Sequence, residues 1–453
     1  MSKHSKFSAR ASLAAIGVRM RQLGIWKVIE QQVQIEQKVI KHTPLNKLLD
    51  TFINILAGGQ GLVEVNTRVR PDEGVQRAFG REGCADQSTI SETLNHCTDE
   101  TVEQLRQALQ TIYRTHSRGY QHDYDTGYQV LDVDMTGMPA GRQGEGVTKG
   151  YFAGQKNRRG RQLGRVVATL YDEIVVDRLY DGKRQLDRSL QGLVTATEDV
   201  LDLSAEQRQQ TILRVDAGGG RDEDINWMLE RGYQILVKVK HYKRSAKLAR
   251  SVTVWYPDPK VKGREVGWVE APQPYVKPTR QLAIRKRKHT GEWSYHVLVF
   301  TLPDQALSWL GRQPIRRRPT PDQVLFATLA AYDLRSGGAE TIIKGSKQGL
   351  GLTKRNKRIF AAQEMLVLLA QLAYNLISWT HDLFAQAANK LRKFGILRMV
   401  RDAFHIPGRL ELDAQGRLLQ IVLCAKHPLA RSFALGLAPL LARDDLSLNL
   451  GQI

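Results

Sequence analysis

The sequence predicts a mixed α/β fold in which an α/β core is interrupted by a β-rich insertion and preceded by a helical region. Three observations carry that prediction. Apolar residues keep helical spacing through the first 120 positions. From about Tyr128 strand-like runs alternate with short helical ones, the pattern of a sheet with some parallel pairing. Residues 241–323 then become a series of short apolar runs cut by Pro, Gly and charged turns.

The elements follow in order. Thr43-Pro44 reads as an N-cap with proline at the first helical position, and Leu45, Leu48, Leu49, Phe52, Ile53 and Leu56 continue the helix until glycines 58, 59 and 61 end it. Residues 83–97 resemble the turn and second helix of a helix-turn-helix, with small polar side chains from Gln87 to Ser91 at the helix start. Residues 1–120 are therefore read as a helical DNA-binding region. Val130, Leu131 and Val133 predict a strand around Asp132 and Asp134. Arg165 to Asp177 predicts two strand pieces broken near Asp172 and Glu173. A polar helix over Ser204–Gln210, a strand over Thr211–Val215, a helix over Asp222–Arg231 and a strand over Tyr233–Lys240 complete the core's first part, 121–240. The insertion, 241–323, contains expected strands at 252–256, 265–270, 281–285 and 293–302 and the tryptophans Trp255, Trp268 and Trp293. The core resumes over 324–400 with a helix holding Glu340 and a long apolar helix from Phe360 to about Lys390. No chemistry is assigned to 401–453.

Composition narrows the partners. The 453 residues contain 67 Lys+Arg against 46 Asp+Glu, a formal charge of +21. Such a surplus favours a polyanion, with attraction that weakens as salt rises. Lipid fits less well, because Met1 to Ser8 has no apolar stretch and the apolar run Met365–Ile377 is interrupted by Gln371 and Asn375. No membrane partner is expected. Three cysteines, Cys84, Cys97 and Cys424, suit a reducing interior and do not make a close-spaced zinc pattern.

Three acids carry the candidate chemistry. Asp132 and Asp134 are two apart, so on a strand they share a face and either could be a ligand. Asp216 stands where an apolar strand runs into three glycines, which permit close backbone approach. Taken alone, such an aspartate reads first as a turn or helix cap. Glu340, Lys344 and Lys347 are spaced to share one helical face, arranged to hold a cation and grip phosphates or to form a solvated salt-bridged surface. Clusters of oxygen ligands suit hard divalent cations. Two basic runs, Lys156 to Arg161 and Lys354 to Arg358, fit DNA tracking or a solvated face.

Tyr332-x-x-Arg335, then Glu340, then Lys347 seven residues later, resembles the Tyr-Arg-Glu-Lys signature of DDE transposases from bacterial insertion sequences. Asp134-Met135-Thr136 resembles the family's first aspartate step, and Val215-Asp216-Ala217-Gly218 its second. The insertion lies between the second Asp and the Glu, as in that group, and the resemblance spans residues 125–395. One departure stands out: four residues separate Arg335 from Glu340, where three are usual.

The resemblance implies a ribonuclease-H-like catalytic core in which Asp134, Asp216 and Glu340 bind two Mg²⁺ ions, with Mn²⁺ able to substitute and Asp132 the alternative first ligand. It implies that Tyr332, Arg335, Lys344 and Lys347 are DNA-binding residues at the transposon end. Water would release a 3′-OH at that end, and the hydroxyl would then attack target DNA. The implied partners are double-stranded DNA, both terminal inverted repeats and target, and a second copy in a homodimer on DNA. The implied location is the bacterial cytoplasm, with the nucleoid. Two other readings stay open: a nuclease on the same core without strand transfer, and an inactive sequence-specific DNA-binding protein.

Overall fold

The computed structural model describes residues 4–152, 155, 157–387, 391, 393–442 and 445–452. Lys156 and Lys390 lie outside the described residues. The chain divides into two compact units. The first comprises Met1–Ser117, Pro139–Val147 and Ile343–Ile453; the second comprises Arg118–Met138 and Thr148–Ile342. The expected core segment 324–400 is therefore shared between them, and the long helix Phe360–Ala387 belongs to the first unit.

The first unit is mostly helical, for the capping reasons the sequence suggests. Thr43 accepts a hydrogen bond from the Asn46 N–H at 3.2 Å and starts Pro44–Leu56. Asp86 accepts from the N–H groups of Ser88 and Thr89 and starts Gln87–Asn95. The turn before that helix is pinned by buried Asp50, which accepts from the Ala85 N–H at 2.8 Å and from Arg81 Nε at 2.8 Å. Not all of this unit is helix. His4–Ser8 pairs with Gly408–Leu412 in a four-stranded sheet completed by Leu418–Cys424 and Ser447–Gly451, so the C-terminal region folds with the N-terminal one. Chain ends meeting across a sheet leave no local periodicity to read.

The apolar stretch expected over Met365–Ile377 is longer than the sequence reading allowed. Phe360–His381 is long and apolar enough to cross a membrane by length and composition, but 94% of its most apolar window is buried inside the protein. Gln371 and Asn375 are buried with it. It serves as a core helix of its unit.

The second unit is built on one mixed sheet. Its five core strands are, in chain order, Gln129–Pro139, Arg159–Ala168, Glu173–Asp181, Thr211–Val215 and Gln234–Lys238. They stand side by side in the order third, second, first, fourth, fifth. The first, fourth and fifth run parallel, and the second and third are antiparallel to each other. The break between second and third falls where expected, with Asp172 in the left-handed region at φ 56°. The insertion does not form a separate body. Trp293–Phe300 pairs antiparallel with the fifth core strand, followed by Arg280–Arg287, Arg264–Trp268 and Tyr256–Pro257, so the insertion extends the same sheet. Helix Pro321–Arg335 packs on this sheet through Val324, Leu325, Ala327, Leu329 and Ala331 against residues such as Val130, Ile212, Leu236 and Leu298.

Candidate active site

Strand register brings the two aspartates together. Val133 is opposite Val215, and Val215 is opposite Val237, in parallel pairing. One residue further along each strand gives Asp134, Asp216 and Lys238, a row of charged groups across three adjacent strands. These lie just past the carboxyl end of the parallel-paired stretch, the side on which open α/β sheets commonly hold their reactive groups.

Each aspartate is oriented by a local hydrogen bond. Asp134 Oδ1 accepts from the Met135 N–H at 2.8 Å. Asp216 Oδ1 accepts from the Gly218 N–H at 2.8 Å, so Asp216 does cap the short turn Ala217–Gly219 and still leaves its second oxygen for another partner. The glycines matter by position. A Cβ on Gly220 would lie 1.9 Å from the Lys238 carbonyl oxygen, so only glycine lets this turn sit against the fifth strand.

Helix Pro321–Arg335 supplies the third group. It runs into a π-helical segment, Ser336–Glu340, and then into Thr341–Gly349. A π turn accommodates one residue more than an α turn. It absorbs the extra residue between Arg335 and Glu340 and keeps the two side chains facing each other. Arg335 Nη2 lies 3.0 Å from Asp134 Oδ2, and Nη1 lies 3.6 Å from Glu340 Oε1. Arg335 is buried, yet its Nε and Nη2 make no hydrogen bond, so the Asp134 contact is an ion contact without hydrogen-bond alignment. Such misalignment leaves donor capacity in reserve for a further acceptor.

The electrostatics reflect burial first and the neighbouring charges second. Burial pushes the Asp134 carboxyl up to about 6; Arg335 opposes that shift, while Asp216 and Glu340 reinforce it. Burial pulls Arg335 down, but the neighbouring carboxylates, Asp134 foremost and then Asp216, outweigh it and the net shift is upward. Lys238 is lowered, chiefly by burial, with Asp216 pulling the other way. His296, near Lys238, is lowered to about 4 by burial and by that ammonium.

Among the described residues, no three His, Cys, Asp or Glu side chains are grouped closely enough to hold a metal ion as they stand. The bridging cation between Asp134 and Glu340 is Arg335. The donor set nevertheless suits a hard divalent cation. It is all carboxylate oxygen, and the Asp216 and Glu340 carboxylates are close enough to Asp134 to add to the rise that burial gives its carboxyl.

Asp132, the alternative ligand, is engaged elsewhere. It is fully buried, and both its oxygens accept from Arg214, at 2.6 and 2.9 Å. Its place in the row is one step below Asp134, opposite Arg214.

The family is decided by the whole sequence. The model of the family described as transposase DDE domain group 1 matches residues 5–443. The chain belongs to that family. No curated protein matches it. Among solved structures, it is similar to the cryo-EM structure of a piggyBac transposase synaptic complex with hairpin DNA, at 10% identity and a TM-score of 0.45, covering 89% of this chain and 84% of that one.

In this DDE transposase, the remaining expected site residues are distributed as follows. Tyr332 is partly buried against the core that holds the helix, and burial raises its phenol. Lys344 and Lys347 follow in Thr341–Gly349, beyond Ile342 where the second unit ends. The basic runs are not uniform surfaces: Arg161 and Arg355 are buried, and Arg355 donates to the carbonyls of Gly59 and Leu350. Trp268 packs against Phe300, while Trp255 and Trp293 hold the Arg285 guanidinium between them at 4.4 and 4.5 Å. Lys238 and Arg214 escaped the sequence reading. Their signal was a basic residue inside one apolar strand, Arg214, and one at the end of another, Lys238.

Proposed function

We propose that this transposase binds the ends of its element, cuts them by metal-dependent phosphodiester hydrolysis and joins the 3′-OH ends to target DNA. The observation that carries this reading is the row formed by Asp134 and Asp216, with Glu340 reaching it through Arg335. The sheet order third, second, first, fourth, fifth, with the second and third strands antiparallel, supports a ribonuclease-H-like core.

The residues have separable roles. Asp134, Asp216 and Glu340 would hold two Mg²⁺ ions, or Mn²⁺ in their place. Such a pair supplies activation of the attacking oxygen and stabilisation of the leaving one. Arg335 balances the acids in the resting chain and has unused donors for a phosphate. Tyr332, Lys344 and Lys347 complete the contact with the transposon end. Helix Gln87–Asn95, with Ser88 and Glu92 exposed, is the element proposed to read bases. We place the protein with the bacterial nucleoid as part of an insertion sequence, acting as a homodimer on DNA because two ends must reach one target.

The test is an oligonucleotide with the terminal repeats that flank the gene, incubated with Mg²⁺ and a plasmid target. Cut and joined products support transposition. Cut products alone favour a nuclease on the same core, and a shifted band without products favours a binding protein.

A further inference from the structure

The Asp132–Arg214 pair does more than fill the core. Arg214 spends two donors on Asp132 and a third on the Ala331 carbonyl, at 2.8 Å, in the helix that carries Tyr332 and Arg335. Asp132 in turn lies beneath the π turn. A Cβ on Gly338 would meet Asp132 Oδ2 at 2.8 Å and Thr169 Cγ2 at 2.5 Å, so the backbone two residues before Glu340 rests on this carboxylate and its neighbour. One ion pair thus lies against both ends of the segment between Ala331 and Gly338. It also ties that segment to the strand that holds Asp134 and to the strand that runs into Asp216.

We propose that Asp132, Arg214 and Gly338 are positioning residues: a buried ionic strut and its glycine seat fix where Glu340 stands relative to Asp134 and Asp216. The proposal rests on the reading of these three acids as the cutting site. Burying an ion pair is expensive, and apolar residues of similar volume often serve a core better. A pair retained under a functional segment is better explained by the geometry it fixes, since an error near 1 Å in a reacting group is costly. The sheet supplies its own comparison in Arg165 and Asp177, an equally buried pair with both contacts at 2.7 Å that joins the second and third core strands.

The experiment uses the full chain and the variants Arg214→Lys and Gly338→Ala, with Arg165→Lys as the control for the loss of a buried ionic contact. Three quantities are read: affinity for a terminal-repeat duplex, single-turnover cleavage of the bound duplex with Mg²⁺, and hydrogen exchange at the amides of residues 338–341 without DNA. The first two variants should keep duplex affinity within about twofold and lose about 100-fold in cleavage. They should also exchange those amides at least about tenfold faster, because the turn loses its seat. Arg165→Lys should lower thermal stability without moving duplex affinity, cleavage or exchange at 338–341. Unchanged exchange in Arg214→Lys and Gly338→Ala overturns the strut whether or not the protein cuts DNA, and so does unchanged cleavage. If the unaltered chain cuts no duplex, the cutting-site reading falls, and hydrogen exchange alone decides the strut.

Discussion

Arg335 and Glu340 are five residues apart and still meet, Nη1 to Oε1 at 3.6 Å, because the backbone between them makes a π turn. An α-helix would bring residues three or four apart to the same face. The two glycines of that turn face different surroundings. A Cβ on Gly337 meets nothing within 4 Å, and its φ is not positive. Gly337→Ala should therefore lower the entropy of the unfolded chain at no steric cost, stabilising the fold by about 0.5 kcal/mol. Calorimetry should register a rise of about one degree in melting temperature. A fall would mean that the turn requires glycine at 337 for a reason other than space.

Asp216 is both turn cap and proposed ligand, and these duties can be separated. In Asp216→Asn the amide oxygen can still accept from the Gly218 N–H, so melting temperature and affinity for the transposon end should stay near those of the unaltered protein. Cleavage and joining should fall by about three orders of magnitude or more. Asp216→Ala should lose the same activity and, in addition, about 1 kcal/mol from the missing cap. Strand transfer at the original rate in either variant would remove Asp216 from the mechanism.

Much of the second unit was legible because its strands are short, apolar and bounded by turn residues. Thr211–Val215 lies where the sequence put it, and Asp222–Glu230 ends one residue earlier than expected. Helix Leu190–Leu201 was missed, although Leu190, Leu193, Val194 and Leu201 share a buried face. Asp134 was legible within a strand and Asp216 at the end of another, but their adjacency was not. It depends on the register of Val133 with Val215, which no local pattern encodes. The one-residue departure in the Tyr-Arg-Glu-Lys spacing was visible, while its resolution by a π turn was not, because helix periodicity cannot tell an insertion from a displaced start. Asp132 stood as the alternative to Asp134 because its partner, Arg214, is 82 residues away and no local pattern points to it.

Asp134 gives the site a pH signature. Its carboxyl is raised from 3.8 to about 6, so across that interval the folded chain binds more protons than the unfolded one. Stability contributed by this group is therefore present at low pH and lost as pH rises through about 6. Without divalent ions, the melting temperature of the unaltered protein should fall over this window relative to that of Asp134→Asn, which has no proton to lose. Mg²⁺ should flatten the fall, since a cation at the carboxylate competes with its proton. Thermal melts from pH 4 to 7, with and without Mg²⁺, measure both effects; parallel profiles for the two proteins would show that Asp134 titrates normally.

The run Lys354 to Arg358 separates charge that can face DNA from charge spent inside the protein. Arg355 is buried, lowered to about 10 by burial, and donates to the carbonyls of Gly59 and Leu350. Arg355→Ala strands two buried acceptors, each worth about 1–3 kcal/mol, so it should destabilise the chain severely. Lys354 is exposed one residue away. Lys354→Ala should leave the melting temperature unchanged and, if that ammonium contacts a phosphate, reduce the slope of log affinity against log salt by about one. Binding isotherms at several salt concentrations, alongside melts of both variants, distinguish the two roles. An unchanged slope for Lys354→Ala would assign it to the solvated face, and an unchanged melting temperature for Arg355→Ala would contradict its place as an internal staple.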